Sequence, residues 1–122
     1  MDLTEVAYYI APLMGLVTFI IGVCAVARPQ AMALKFGIPA SGLALPYVVS
    51  TGIRDVFMGL SILILYFLSD WQALGAIILC IAVVALSDFL MVRKHGDRKT
   101  SYVHLAGAVA VTIYGTWLLL NS

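Results

Sequence analysis

The sequence predicts an all-α protein, a four-transmembrane-helix bundle with a candidate short interfacial helix between spans one and two. Of its 122 residues, 63% are hydrophobic and 11% are charged, against about 45–50% and about 25% in soluble domains. The mean hydropathy is +1.07. Four apolar segments are each long enough to span a bilayer, and most charged residues lie between them. We therefore interpret residues 1–122 as one integral membrane domain.

The spans follow from length and apolar content, since a membrane helix needs about 20 mostly apolar residues. They cover residues 8–27, 46–68, 73–92 and 102–120. Backbone polar groups in hydrocarbon must pair within their own segment, which makes each span helical. Pro12 lies near the start of the first span, where a missing N–H matters little.

The three links differ in length. "SDWQ" is short and makes spans two and three an antiparallel hairpin, and "RKHGDRKTS" is a charged turn. The first link, "RPQAMALKFGIPASGLAL", is longer. Pro29 suits a first helical position and Gly37 suits a helix stop. A short helix over "QAMALKF" at the interface and an irregular link are the two alternatives here.

Basic residues predict the orientation. The Lys and Arg residues outside the spans all lie on links one and three: Arg28, Lys35, Arg93, Lys94, Arg98 and Lys99. The positive-inside rule then places both termini on the non-cytoplasmic side. Tyr8, Tyr9, Trp71 and Trp117 lie toward the opposite interface, as in an aromatic belt. Asp2 and Glu5 give the N-terminus an acidic character, so we do not expect a cleavable signal peptide.

Several classes of protein are disfavoured. The net charge is +1, with no basic stripe for nucleic acid. Cys24 and Cys80 form no C-x-x-C pair and lie in apolar runs. We therefore expect buried thiols rather than a reactive pair. No spacing motif supports a metal site, and no cofactor motif is present, so we expect neither metal nor cofactor.

Small residues recur at helical spacing on two spans, where they allow close helix packing. They are Ala11, Gly15, Thr18, Gly22 and Ala25 on the first span, and His104, Gly107, Ala108, Val111 and Gly115 on the fourth. This pattern fits packing inside one chain and also fits a homodimer.

Ionisable residues inside the spans predict a polar layer. At about 1.5 Å per residue, Arg54 and Asp55 lie roughly 12–14 Å from the end of their span that follows link one. Asp88 lies roughly 7–8 Å from the same face by the same rise. His104 lies just inside it, near the start of the fourth span. Three spans thus bring these four residues into one half of the membrane.

The second span carries further polar groups mainly on one side. Charged groups facing lipid are costly, so this side should face the bundle interior or a wet cavity. We predict Arg54, Asp55, Asp88 and His104 as catalytic residues. The predicted substrate-binding residues are Tyr47, Thr51, Met58 and Ser61.

Two interpretations of these residues remain open. In the first, Arg54 pairs with Asp55 or Asp88 as a clasp that holds the helices together. In the second, the same residues form a functional pocket. Because one arginine neutralises one aspartate, a carboxylate and a histidine are left over, which favours the pocket. The remaining carboxylate is then suited to general acid–base work.

Several motifs resemble a family of small four-span integral membrane proteins that is known as a domain of unknown function. They are "ARPQAMALKFGIP", "GIRDVFMGLSIL", "SDFLMV", "HGDRKTSYVHLAGA" and "GTWLLL". The likeness begins near Arg28, and its most specific element is Gly52, Arg54, Asp55, Gly59 and Leu60. The resemblance implies a shared four-span fold and the importance of Arg54, Asp55, Asp88 and His104. Its members occur in bacteria and fungi, some beside small-molecule biosynthesis genes, which suggests enzymes on lipophilic substrates.

Two functional hypotheses follow. The first is a membrane-embedded acid–base enzyme that isomerises, cyclises or opens an epoxide on a lipophilic small molecule, with Asp55 or Asp88 moving the proton and His104 relaying it. The second is a small-molecule transporter or an accessory subunit. Four-span multidrug exporters carry an acid in their first helix, whereas the first span here has no charge. That difference disfavours the transporter.

Overall fold

The computed structural model describes residues 2–122. It confirms the all-α class and the four-helix bundle, because four of the helices are long and apolar enough to cross a membrane. A 3₁₀ turn over Gly42–Ala44 precedes the third helix. The helices are α1 Leu3–Ala27, α2 Pro29–Phe36, α3 Leu45–Phe67, α4 Trp71–His95 and α5 Arg98–Leu120.

Aspartates cap three of the long helices. The carboxylate of Asp2 accepts a hydrogen bond from Glu5 N–H at 2.9 Å, and that of Asp70 accepts one from Ala73 N–H at 3.1 Å. Asp97 begins α5 in the same way. An acidic cap satisfies backbone donors that have no partner within the helix. Both α4 and α5 therefore begin before their apolar runs, because hydropathy marks the embedded part of a helix rather than its first turn.

The short helix α2 confirms that link one contains a helix. Pro29 is its first residue, and Gly37 ends it with φ +110°, a conformation that favours glycine. The backbone oxygen of Gly37 accepts a hydrogen bond from Asp97 N–H at 2.8 Å. The end of α2 is thereby attached to the turn between α4 and α5.

Glycines bring α1 and α3 into backbone contact. A Cβ on Gly59 would lie 2.6 Å from the backbone oxygen of Gly15, and one on Gly22 would lie 2.5 Å from that of Gly52. The predicted small-residue stripe of α1 is thus a packing surface within this chain. On α5, Gly107 takes no part in packing within this chain, since a Cβ there would meet nothing within 4 Å.

The apolar core lies in one half of the bundle, toward the N-termini of α1 and α4. There the hydroxyl of Tyr114 donates to the backbone oxygen of Ala7 at 2.6 Å and joins α5 to α1. The opposite half contains the polar residues and α2. The core cluster comprises Ala11, Ile62, Leu74, Ile78, Tyr114 and Leu118.

The predicted burial of the two cysteines is wrong. Cys24 and Cys80 are both free and exposed on the surfaces of their helices. An apolar helix in a membrane is apolar all round, so hydrophobic neighbours do not show which side faces the protein.

The glycine contacts predict an asymmetric response to alanine. Gly59→Ala should destabilise the protein by about 1–3 kcal/mol, because its Cβ has to displace the backbone of α1. Gly107→Ala, the control, should be neutral or stabilising by up to about 1 kcal/mol. Thermal unfolding of the purified protein in detergent measures both, and equal shifts would contradict the packing described above.

Asp97 predicts a pH dependence of stability. Hydrogen bonds from the hydroxyl and backbone N–H of Thr100, and from Lys99 N–H, lower the pKa of this carboxyl below its ordinary value. A lowered pKa in the folded state stabilises the fold above the ordinary value, and that contribution is lost as the pH falls through the lowered pKa.

The comparison variant is Asp97→Asn, which keeps a good capping side chain but does not titrate. The wild type should melt at a higher temperature than Asp97→Asn, and this difference in melting temperature should shrink on acidification from about pH 5 to about pH 2. An advantage that stays constant over this range would rule out the contribution of the Asp97 charge.

Candidate functional site

Arg54 on α3 contacts two carboxylates. Its Nε and Nη2 donate to Oδ1 of Asp55 at 3.1 and 3.0 Å. Its Nη1 and Nη2 donate to Oδ1 and Oδ2 of Asp88 at 3.3 and 3.2 Å. The guanidinium is planar and presents its donors as a fork, which suits paired contacts with a carboxylate. Arg54, Asp55 and Asp88 are called the charged cluster below.

The charged cluster joins α3 to α4. Asp55 follows Arg54 directly in α3, whereas Asp88 lies on α4, 34 positions along the chain. The side chains of Arg54, Asp55 and Asp88 are 34%, 15% and 18% exposed. With both carboxylates ionised the cluster has a net charge of −1. In that state, one added proton or one cationic group of a ligand would bring the net charge of the cluster to zero.

A cavity of about 380 Å³ lies beside the charged cluster and is called the α2 cavity. Arg54 and Asp88 are its only charged lining residues within the described chain, and Tyr47 and Thr51 from α3 also line it. The remaining lining residues are Ala33, Phe36, Ile38, Ala40, Ala44, Val48 and Met91. The cavity is thus apolar except at the cluster and the two hydroxyl side chains, which is the usual composition of a small-molecule site.

A second pocket of about 180 Å³ lies between α3 and α4 on the other side of Arg54. Met58 and Ser61 line this pocket rather than the α2 cavity. The predicted substrate-binding residues therefore divide into two pairs, and Arg54 lines both spaces. Asp55 lines neither, and contacts Arg54 instead.

The hydroxyl groups have local partners. Thr51 donates to the backbone oxygen of Tyr47 at 3.0 Å, and Ser61 donates to that of Phe57 at 2.8 Å. A hydroxyl that donates within its own helix can still accept a hydrogen bond. The donors available to a ligand in the α2 cavity are therefore the Arg54 guanidinium and the phenol of Tyr47.

The hydrogen bond and the ring contact of His104 are made with Phe36 and not with the charged cluster. Its Nε2 is 2.8 Å from the backbone oxygen of Phe36, and the two rings are 4.6 Å apart between centroids. Within residues 2–122 no hydrogen bond joins His104 to Arg54, Asp55 or Asp88. The histidine instead attaches α5 to the last residue of α2, and Phe36 in turn lines the cavity.

Phe36 and Met91 were missed by the sequence reasoning. Met91 lies three residues after Asp88, a spacing that places both side chains on one helix face. That spacing was available in the sequence. Phe36 ends a short segment whose position over the bundle cannot be read from hydropathy.

Metal-binding residues do not converge in the described part of the chain. No group of three His, Cys, Asp or Glu side chains within residues 2–122 is placed to hold one metal ion. Asp55 and Asp88 both direct oxygen atoms at Arg54, a cation that competes with any metal for the same lone pairs.

Comparison with known families gives one match. A family model described as a domain of unknown function (DUF4267) matches residues 15–118. The match begins earlier than the motifs that carry the resemblance in the sequence. No curated protein and no solved structure matches the chain.

The charged cluster predicts that removing its cation costs more than removing all its charges. Arg54→Gln should destabilise the protein by about 1–3 kcal/mol, because two partly buried carboxylates lose their partner. Adding Asp55→Asn and Asp88→Asn to Arg54→Gln should recover most of the stability that Arg54→Gln loses. Thermal unfolding in one detergent measures both variants. A triple variant no more stable than Arg54→Gln would contradict this account.

Proposed function

This chain belongs to the DUF4267 family, a domain of unknown function, and from that premise we propose that it is a membrane-embedded acid–base enzyme acting on a lipophilic small molecule. The observation that carries the proposal is that Arg54 and Asp88 line a cavity whose other lining residues, apart from Tyr47 and Thr51, are apolar. The cavity volume of about 380 Å³ falls within the range of about 300–1,000 Å³ typical of ligand pockets. Tyr47, one of its lining residues, is 77% exposed, and we place the entry of a lipophilic molecule at this exposed side chain.

Asp88 is the acid–base residue in this proposal. It lines the α2 cavity, and both of its oxygens receive hydrogen bonds from Arg54. It can hold a proton at one oxygen when the guanidinium retains the other. A carboxylate in this position gives or takes a proton at a bound substrate, as general acid–base catalysis requires.

Arg54 and Asp55 support that proton transfer. Arg54 also faces the cavity, where its fork of donors stabilises negative charge that develops on a substrate oxygen. Asp55 accepts from Nε and Nη2 of the guanidinium, while Asp88 accepts from Nη1 and Nη2, and Asp55 compensates part of the positive charge. Asp55 is thus a positioning residue.

We assign His104 a positioning role in place of the proton relay expected from the sequence. Its partner is the backbone oxygen of Phe36, so it fixes one wall of the cavity. A relay through His104 needs a link to Asp88 that its described hydrogen bonds do not supply.

The reactions that fit this equipment move protons without a change of oxidation state. Isomerisation, cyclisation and epoxide opening each protonate one atom of the substrate and deprotonate another atom or a nucleophile. Asp88, protonated at the start, gives its proton to one atom and, as the carboxylate, takes the proton that the other atom loses, so that it ends the reaction protonated again; Arg54 stabilises the oxygen at which charge develops. No redox cofactor enters such a reaction.

A structural role is the second candidate function, and a specific observation favours it. Arg54 uses both carboxylates at once, so the surplus charge that the sequence suggested is partly compensated. A clasp between α3 and α4 would suffice for an accessory subunit. The cavity beside the cluster has no role in that alternative, which is why we prefer the enzyme.

We also propose that the basic links face the cytoplasm and both termini the opposite side. The positions of Lys and Arg on links one and three support this through the positive-inside rule. A substrate in the α2 cavity then reacts in the cytoplasmic half of the membrane.

Asp88→Asn tests the proposal. In cells that lack the endogenous protein, the wild type should restore a small-molecule product, and Asp88→Asn should lower its formation by at least about 100-fold. Untargeted mass spectrometry of lipophilic extracts measures product and precursor. Asp70→Asn is the matched control, since it makes the same chemical change at a helix cap far from the cavity, and it should leave the product unchanged.

The folded triple variant Arg54→Gln, Asp55→Asn, Asp88→Asn separates the two functions. An enzyme loses its product in this variant even when the melting temperature is normal. An accessory subunit recovers its phenotype once the fold is restored. A folded Asp88→Asn protein with a wild-type metabolite profile would overturn the proposal that the protein is an enzyme.

A further inference from the structure

An aromatic corner lies at the end of the bundle opposite the basic links. It consists of Tyr8 and Tyr9 from α1, Tyr66 from α3 and Trp71 from α4, which line a cavity of about 490 Å³ together with Glu5. The sequence indicated an aromatic belt here. A belt places rings at the interface around a protein, whereas these rings come from three helices and converge on one space.

The rings stand at steep angles to one another. The centroids of Tyr8 and Trp71 are 4.6 Å apart with planes at 58°, and those of Tyr66 and Trp71 are 5.6 Å apart with planes at 85°. Rings inclined in this way leave part of each other's faces uncovered, whereas parallel stacked rings would cover them. A cation in the corner can lie within about 6 Å of more than one ring centroid, the range of cation–π attraction.

The charged side chains at the end of the bundle that contains the aromatic corner are acidic: Asp2, Glu5 and Asp70. The side chains of Asp2 and Asp70 accept hydrogen bonds as helix caps, which leaves Glu5 as the carboxylate beside the rings. Within residues 2–122 Glu5 forms no salt bridge. The lysines and arginines all lie in the other half of the fold, at 28, 35, 54, 93, 94, 98 and 99.

We propose that the aromatic corner binds a quaternary ammonium group of the choline type. Such a cation is large and poorly hydrated, and it donates no hydrogen bond. It therefore gains from ring faces and one nearby carboxylate without needing a set of acceptors. A primary ammonium gains most from several acceptors placed around it, whereas the corner offers one carboxylate and tyrosine hydroxyls beside its ring surfaces. The remaining volume accommodates whatever the ammonium group is attached to.

The same chemistry has two sources, a choline lipid headgroup in the outer leaflet and a free quaternary ammonium compound. The corner lies at the aromatic interface, which is the depth of a headgroup and is also open to water. The proposal is independent of the acid–base function, since it uses none of the residues of the charged cluster or the α2 cavity.

Trp71 fluorescence tests the proposal. Trp117, whose ring centroid is 5.4 Å from that of Tyr8, is first replaced as Trp117→Phe so that Trp71 is the single reporter. The full chain, in ethanolamine-lipid nanodiscs bounded by a polymer without aromatic groups, is titrated with tetramethylammonium chloride, and with sodium chloride at equal ionic strength. We expect a saturable change with tetramethylammonium alone.

Matched variants identify the binding groups. Glu5→Gln should raise the Kd by about fivefold, whereas Asp2→Asn, which removes the same charge from the same end, should raise it by less than about twofold. Tyr66→Leu should weaken binding by a similar factor, and Tyr66→Phe, which keeps the ring face, should retain it. No saturable response, or equal effects of Glu5→Gln and Asp2→Asn, would overturn the proposal.

The two sources are distinguished by the lipid. If the occupant is a headgroup, nanodiscs of choline lipids should shift the Trp71 spectrum and raise the apparent Kd for tetramethylammonium. If the occupant is a free cation, the titrations in choline and ethanolamine lipids should coincide. Either result supports binding of a quaternary ammonium group and names its source.

Discussion

The contact of Arg54 with both Asp55 and Asp88 is the constraint on which the polar half of the bundle depends. Each charged group at the centre of a membrane costs about 2.5–3.5 kcal/mol on insertion scales. Sharing one guanidinium between two carboxylates offsets much of that cost. It also sets the distance between α3 and α4 at this depth. The α2 cavity exists beside a cluster whose geometry is thereby restrained.

The two halves of the bundle are stabilised differently. Toward the N-termini of α1 and α4, side chains interlock in an apolar core, and Tyr114 joins α5 to α1. In the other half, α2 is inserted beside the long helices and is held by backbone contacts at Phe36 and Gly37. Glycine contacts between α1 and α3 extend through both halves. Arg54 therefore lies on a helix that packs closely against α1, while residues of α2 form one wall of the cavity beside it.

Much of the candidate site was readable from residue type and position. Arg54, Asp55 and Asp88 are charges inside apolar runs, and helix rise places them in the same half of the bundle. Which groups touch was not readable, because that depends on how each helix is rotated about its axis. His104 illustrates this, since it lies in the same half of the bundle as the charged cluster but its Nε2 contacts the backbone oxygen of Phe36. The split of Thr51 and Ser61 between two spaces has the same origin.

The sequence by itself determined the class of protein, the number of candidate spans, and the presence of ionisable residues inside three of them. These follow from hydrophobicity, charge and local backbone preference, which act over neighbouring residues. The tertiary structure alone decided that one arginine serves both aspartates, that Cys24 and Cys80 are exposed and that α2 walls a cavity. These depend on contacts between distant residues, and helices apolar on every side do not encode the direction in which they face.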